Sequence, residues 1–220
     1  MTQSRIRPSH KGTAASKTGR TSAPQDVRRA VMDAAIEIIR TDGPDQVSMR
    51  EVARLAGISH QAPYHHFADR AGIFAAISEE GFRAFAQEFR LVLESSTSPV
   101  GDCLRAYVRF AMTHQGHFKV MFRSDICGVS THDETRAAAD EAYAVLLDFA
   151  EKVRGGAPVD NSPLTLPVIL WSQAHGMATL LVDGPLAAKL PPEIDLERFI
   201  DGVADAAAAL HNQTARALPS

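Results

Sequence analysis

The stretch that decides the fold runs from Val47 to Arg70. It reads Val47-Ser48-Met49-Arg50-Glu51-Val52-Ala53-Arg54-Leu55-Ala56-Gly57-Ile58-Ser59-His60-Gln61-Ala62-Pro63-Tyr64-His65-His66-Phe67-Ala68-Asp69-Arg70. Ser48-Met49-Arg50-Glu51 has the form of a capping box: the Ser48 hydroxyl accepts the Glu51 amide, and the Glu51 carboxylate reaches back to the Ser48 amide. A short helix is predicted from there through Ala56, with Val52, Leu55 and Ala56 inward. Gly57 stands where the chain must turn sharply, and Ser59 caps a second short helix through about Phe67. Pro63 falls in that helix's first turn, where amides mostly lack intrahelical partners and its missing N–H costs little. Two short helices joined by a tight, Gly-containing turn are the sequence form of a helix-turn-helix; a plain helical hairpin with solvated faces has the same spacing.

Upstream, Val27, Val31, Ala34, Ala35 and Ile38 recur at helical spacing, which predicts a helix over about 26–40 closed by Thr41-Asp42-Gly43-Pro44. Downstream, Asp69 caps a long helix whose stripe of Phe74, Ile77, Phe82, Phe85, Phe89 and Val92 carries it to about Leu93. Beyond Ser98-Pro99 helical segments are predicted near 100–115, 116–123, 131–154, 163–183 and 193–211, punctuated by Gly155-Gly156, Gly184-Pro185 and Pro191-Pro192. No alternating strand pattern and no internal repeat is visible. The expected fold is all-α: a three-helix helix-turn-helix head joined by a long helix to a helical body. The expected boundaries are a basic arm over 1–23, the head over 24–70, the body over 71–212 and a tail over 213–220.

The chain of 220 residues is ample for a packed core. Its net charge of −3 by itself argues against binding a polyanion, but the distribution reverses that. Residues 1–70 hold eleven Lys/Arg and seven Asp/Glu, whereas the remainder holds twelve and nineteen. A basic head on an acidic body presents one end to phosphate. No run approaches the apolar length of a membrane span and the start lacks a secretory core, so a cytoplasmic protein without a membrane partner is expected. Cys103 and Cys127 form no paired motif and are expected as reduced thiols. No nucleophile elbow, phosphate-cradling Gly loop or paired carboxylates appear, so no catalysis and no cofactor are expected. His60, His65 and His66 share no helical face, and His114 with His117 lack a third ligand, so no metal is expected.

The second short helix carries Ser59, His60, Gln61 and Ala62 near its start, where a helix in the major groove reads bases. Gln61 suits adenine, Ser59 and His60 suit base edges or phosphates, and Ala62 suits a thymine methyl. Tyr64, His65 and His66 offer phosphate donors, which set register rather than read sequence. Ser48, Met49 and Arg50 open the supporting helix and Arg70 opens the next one, placing amides and guanidinium groups where they could clamp the backbone on either side. The five basic residues of the arm, with no acidic one, could add contacts or simply be solvated.

At these residues the sequence resembles the DNA-binding head of the TetR/AcrR family. The resemblance covers about residues 26–77 and rests on the Ser48 cap, Val52-Ala53, Ala56-Gly57-Ile58-Ser59 and Tyr64-His65-His66-Phe67 followed by Arg70. In the body, Trp171-Ser172-Gln173-Ala174-His175-Gly176 and His117-Phe118-Lys119-Val120-Met121-Phe122 are similar to the Trp…His-Gly subclass of that family. Arg70 replaces the family's usual Lys, and His60-Gln61-Ala62-Pro63 departs from its commoner Gly-Thr-Leu/Ile segment, which implies a different operator. The resemblance implies a homodimeric transcriptional repressor that binds a palindromic DNA operator and is released by a small, mostly apolar effector. Tyr107, Phe110, His114, Phe118, Met121, Phe122, Trp171 and His175 are the expected pocket residues, although such a stripe also suits plain core. Ala174, Gly176 and Ala178 on one helix and Val203, Ala207 and Leu210 on the other are the expected dimer contacts.

Overall fold

A computed structural model describes residues 24–155 and 162–217. The expected arm over 1–23 lies outside the described residues. Eight α-helices follow in chain order: α1 (Pro24–Asp42), α2 (Met49–Leu55), α3 (Arg70–Ser95), α4 (Pro99–Thr113), α5 (Gln115–Met121), α6 (Asp133–Arg154), α7 (Thr165–Val182) and α8 (Leu196–Ala217). The described residues hold no strand. Every body helix lies within a few residues of its expected place, because Pro and Gly clusters mark the ends. α8 continues to Ala217, past the boundary at 212 set for the tail.

Two cores result. Val31, Ala35, Ile38 and Ile39 of α1, Val52 of α2 and Ile73, Phe74 and Ile77 of α3 make the head core. Phe82, Phe85, Ala86 and Phe89 of α3 belong instead to the body core, with Tyr107, Val108 and Phe110 of α4, Phe118 of α5, Ala142 and Phe149 of α6 and Ala174 and Ala178 of α7. α4 packs against α3, α7 and α8, while α6 lies along α3. Arg105 ties α4 to α8, with Nε 2.9 Å from Asp201 Oδ1 and a further contact to Asp205.

α5 is wedged between α1 and α3. Gly116 makes this possible, since a Cβ there would lie 2.6 Å from the Ile36 carbonyl oxygen. Lys119 Nζ donates to the Arg40 carbonyl oxygen at 3.0 Å, and Cβ at Gly81 would meet the Met121 sulfur at 2.5 Å. Head and body are thus held by close backbone approach as well as by the continuity of α3.

α7 corrects one expectation. Its 18 residues contain no Asp, Glu, Lys or Arg, and its length and composition reach those of a membrane span. Ser172, Gln173 and His175 interrupt it, and one stripe (Leu170, Ala174, Ala178, Leu181) is buried in the body core. Only 28% of it is buried, however. The other face leaves Val168, Ile169 and Leu180 about half exposed, and Leu210 of α8 is 65% exposed.

Gly116→Ala gains roughly 1 kcal/mol of helix propensity but drives a methyl into a backbone oxygen, an overpacking cost of about 1–3 kcal/mol. The clash should win where the backbone cannot yield. Thermal unfolding of this variant is expected at a midpoint roughly 2–8 °C lower; an unchanged or raised midpoint would show that α5 is free to move off α1.

Candidate nucleic-acid interface and ligand cavity

α2 begins as its sequence predicts. Ser48 is extended at the N-cap and its Oγ accepts the Glu51 amide at 3.2 Å. The Glu51 carboxylate is taken instead by Arg54, whose Nε lies 3.0 Å from Oε2. The inward set differs from expectation: Met49, Val52 and Ala53 are buried, whereas Leu55 is 45% exposed. At 100° per residue, positions 49, 52, 53 and 56 share a face and position 55 does not. The helix ends in a Schellman motif, with Ile58 N bonded to Ala53 O (3.1 Å) and Gly57 N to Arg54 O (3.3 Å). Gly57 takes φ +67°, a left-handed conformation that favours glycine.

The second element is shorter and tighter than predicted. Only Ala62–His65 is helical, as a 3₁₀ turn. Ala62 N bonds to Ser59 O at 3.0 Å and Tyr64 N to Gln61 O at 3.1 Å. Pro63, having no N–H, cannot close the α-type bond back to Ser59, so three-residue closure takes its place. Pro63 and Phe67 are buried, which holds the turn against the head. Ser59, His60, Gln61, Tyr64 and His65 are exposed, and Ala62 and His66 are half-buried. Arg50 is exposed one turn away and makes no ion pair among the described residues.

Two expected contact residues are placed otherwise. Met49 is 8% exposed, so its side chain belongs to the head core and only its backbone is near the surface. Arg70 turns inward: its Nη1 donates to the Val47 carbonyl oxygen at 3.3 Å and its guanidinium lies 5.0 Å from the Phe74 ring centroid. Asp69, as expected, caps α3 through the Gly72 amide at 3.0 Å.

The body holds a cavity of about 280 Å³ between α3, α4, α6 and α7. Of the expected pocket residues, Tyr107, Phe122 and Trp171 line it. Phe110, Phe118 and Met121 are buried core beside it, because their rings and thioether fill the seam between α3, α4 and α5. His114 faces Glu88, 3.4 Å away. His175 stands behind the wall. Trp171 Nε1–H donates to the Tyr107 oxygen at 3.2 Å, which leaves the Tyr107 hydroxyl to donate to His175 Nδ1 at 2.9 Å. Burial pushes the His175 imidazole below 6.5, with Asp183 opposing. Burial raises the Tyr107 hydroxyl well above its usual range and the Cys103 thiol to about 12. Both Cys103 and Cys127 are free and buried.

The wall contributed by α6 was not anticipated. Ala139, Asp140, Ala142, Tyr143, Leu146 and Phe149 all line the cavity, with Phe82, Phe85 and Phe89 of α3 opposite. The signal was present as a second apolar stripe at 139, 142, 143 and 146 beside the core stripe at 138, 142, 145 and 149. Among the expected dimer residues, Ala174 and Ala178 are buried inside the chain, on the same stripe as Leu170 and Leu181. Val203 and Ala207 are half-buried against the body core, and Ala207 lines the cavity. Gly176 and Leu210 lie on the exposed face.

Glu80 joins head to body. Its carboxylate accepts from His117 Nε2 at 3.0 Å and from Arg29 Nη1 of α1 at 2.5 Å. The His117 bond, and then Arg29, hold the carboxyl down at about 2 against the opposing effect of burial. A depressed carboxylate contributes stability that is complete above the unfolded value near 4.5 and is lost as pH falls toward 2. Glu80→Gln should therefore lower stability at pH 7 and flatten the acid limb between pH about 4.5 and 2, as read by urea unfolding. An acid limb identical to that of the parent would show that Glu80 is not so held. The depressed imidazole of His175 acts in the same direction in a higher window, contributing fully above 6.5 and losing its effect below.

Residues 31–77 match the model of bacterial regulatory proteins of the tetR family, and residues 100–207 match that of the tetracyclin repressor-like C-terminal domain. The HTH-type transcriptional regulator AcrR of Shigella flexneri is 33% identical over 55 residues, 25% of this chain and 26% of that protein. The chain is thus matched over about a quarter of that curated relative's length. A protein of unknown function from Rhodococcus sp. RHA1 superposes with a TM-score of 0.66 at 23% identity, covering 89% of this chain and 97% of that one. FadR from Bacillus subtilis, solved in complex with stearoyl-CoA, gives 0.60 at 13% identity over 83% and 96%. These two structural likenesses carry the fold alone, and the two family models together span both head and body. The chain belongs to the tetR family of bacterial regulatory proteins.

Proposed function

We propose that the chain is a dimeric, sequence-specific DNA-binding transcriptional regulator of the cytoplasm, a repressor released from a palindromic operator when a small effector enters the body cavity. The observation that carries this is the polar edge Ser59-His60-Gln61, exposed beside Tyr64, His65 and Arg50 on a turn that Pro63 and Phe67 anchor to the head core. An edge of short polar groups on a rigid support suits the major groove, where Gln61 can pair with adenine and Tyr64 can donate to phosphate. Ser48, Ser59, His60, Ala62, His65 and His66 complete the contact surface. Met49 contributes through its amide, and Arg70 supports the loop before α2.

One such turn touches few base pairs, so two-fold symmetry is needed to double the contacts. Support for a dimer comes from the outer face of α7, where Val168, Ile169 and Leu180, with Gly176 between them, are exposed on a helix whose other side is packed in the body core. Ala174, Ala178, Val203 and Ala207 then act behind that surface, keeping α7 and α8 close to α4. Support for an effector comes from the cavity, which is concave, aromatic and close in size to small-molecule sites of roughly 300–1,000 Å³. The long helix α3 forms part of both the cavity wall and the head core, and so gives a route from one to the other.

Genomic fragments bound by the full chain, selected from a random pool and sequenced, would test the reading. Tyr64→Phe should weaken binding to every selected sequence several-fold, through loss of one phosphate hydrogen bond worth about 1 kcal/mol. Gln61→Ala should instead relax the preference at one or two base pairs by roughly 5- to 100-fold. Equal losses on all operator variants would remove Gln61 from the reading set. Sedimentation showing a strictly solitary subunit would sink the dimeric regulator.

A further inference from the structure

The charge distribution around the cavity narrows the class of molecule it takes. Among the described lining residues Asp140 is the one charged side chain, and no Lys, Arg or His is present. The remaining polar groups are the Gln173 amide, the Trp171 indole N–H, two tyrosine hydroxyls and the Cys103 thiol. Tyr107 has its hydroxyl engaged on both sides, by Trp171 and His175, and offers little to a ligand. Cys103 is held as the neutral thiol. Lys152 is felt at Cys103 from outside the lining, but its Nζ donates to the Leu93 carbonyl, so a carboxylate or phosphate entering this space would lose its water with no cation among the lining residues to receive it, a cost that apolar contact does not offset.

The position of the one charge is equally specific. Asp140 and Tyr143 are one turn apart on α6 and both line the cavity, whereas Phe149 lines it nine residues further on, about 13 Å along the helix axis. Asp140 makes no ion pair among the described residues, unlike its neighbour Glu141, which holds Arg90 at 2.7 Å. On the α6 wall the carboxylate therefore stands toward one end, beside the Tyr143 ring, and the Phe149 ring stands toward the other. Aromatic faces attract cations through their quadrupole, and quaternary ammonium groups are recognised by such rings.

We infer that the cavity binds a compact lipophilic monocation, an ammonium carried on an aromatic or branched aliphatic body. The apolar body lies against Phe85, Phe89 and Phe149, and the positive group lies at Asp140 and Tyr143. This rests on the reading of the cavity as an effector site, and it sets the ligand apart from the acyl-CoA seen in the FadR complex. The volume of about 280 Å³ suits a molecule of one ring and a small head group.

The test uses the full chain and three probes: benzyltrimethylammonium, its uncharged carbon isostere neopentylbenzene, and the anion phenylacetate. Trp171 is the chain's single tryptophan and lines the cavity, so its fluorescence reports occupancy. The cation is expected to bind at least about tenfold more tightly than neopentylbenzene, and phenylacetate not to bind. Asp140→Asn should cut cation affinity by about tenfold, leave neopentylbenzene binding unchanged, and, being at an exposed position, leave the unfolding midpoint unchanged. The inference is overturned if neopentylbenzene or phenylacetate binds as tightly as the cation, if no probe perturbs Trp171, or if Asp140→Asn leaves the preference intact. Anisotropy of a bound DNA fragment separates the two readings. A cation that binds at Trp171 without releasing DNA sinks effector release and leaves the ligand class standing. Release of DNA by neopentylbenzene, bound as tightly as the cation, does the reverse.

Discussion

One helix has to satisfy two cores. The first turns of α3 put Ile73, Phe74 and Ile77 into the head, and the next three turns put Phe82, Phe85 and Phe89 into the body. Buried side chains at both ends, in close-packed surroundings, leave this helix no independent rotation. The orientation of the head is therefore a property of the body. α5 reinforces it from the side, because at Gly116 its backbone comes within contact of the Ile36 carbonyl, and Glu80 spans the same junction with Arg29 on one side and His117 on the other. Movement of either wall of this wedge must be felt by α1, and α1 supports the turn that carries Gln61 and Tyr64.

The cavity lies against that junction. Phe122 closes it from the end of α5, 6.0 Å from the Trp171 ring and 4.8 Å from His175. The Tyr107–Trp171–His175 bonds fix three of the surrounding side chains without a charge. A neutral, hydrogen-bonded floor beneath aromatic walls favours apolar occupants, and the single carboxylate at one end sets the sign of charge that can be tolerated. On the proposed reading, a molecule that pushes on Phe122 pushes on α5, and this would carry coupling between pocket and head.

The outer surface is explained by what is missing from it. α7 carries no Asp, Glu, Lys or Arg, yet it is only partly covered by its own chain. On the dimeric reading proposed above, a second copy of the same surface, related by two-fold symmetry, covers the exposed Val168, Ile169 and Leu180. The same symmetry would place two polar turns on one duplex.

The helices, their ends and the division into head and body were legible because they depend on local chemistry. Ser48 and Asp69 cap because a hydroxyl or carboxylate can reach an amide three residues on, Gly57 turns because it lacks a Cβ, and the phenylalanine stripe of α3 declares its face by spacing alone. The sequence also marked the exposed groups Ser59, His60, Gln61 and Tyr64 by their position after the turn. Tertiary structure decided what spacing cannot express. Arg70 looked like a phosphate clamp and is spent on the Val47 carbonyl, because the loop before α2 folds back over it. Phe110, Phe118 and Met121 looked like pocket and are core, while α6 supplies the missing wall through Asp140 and Tyr143. A helical stripe says which residues are buried, but whether they meet another side chain or enclose an empty space depends on the distance and angle between helices far apart in the chain.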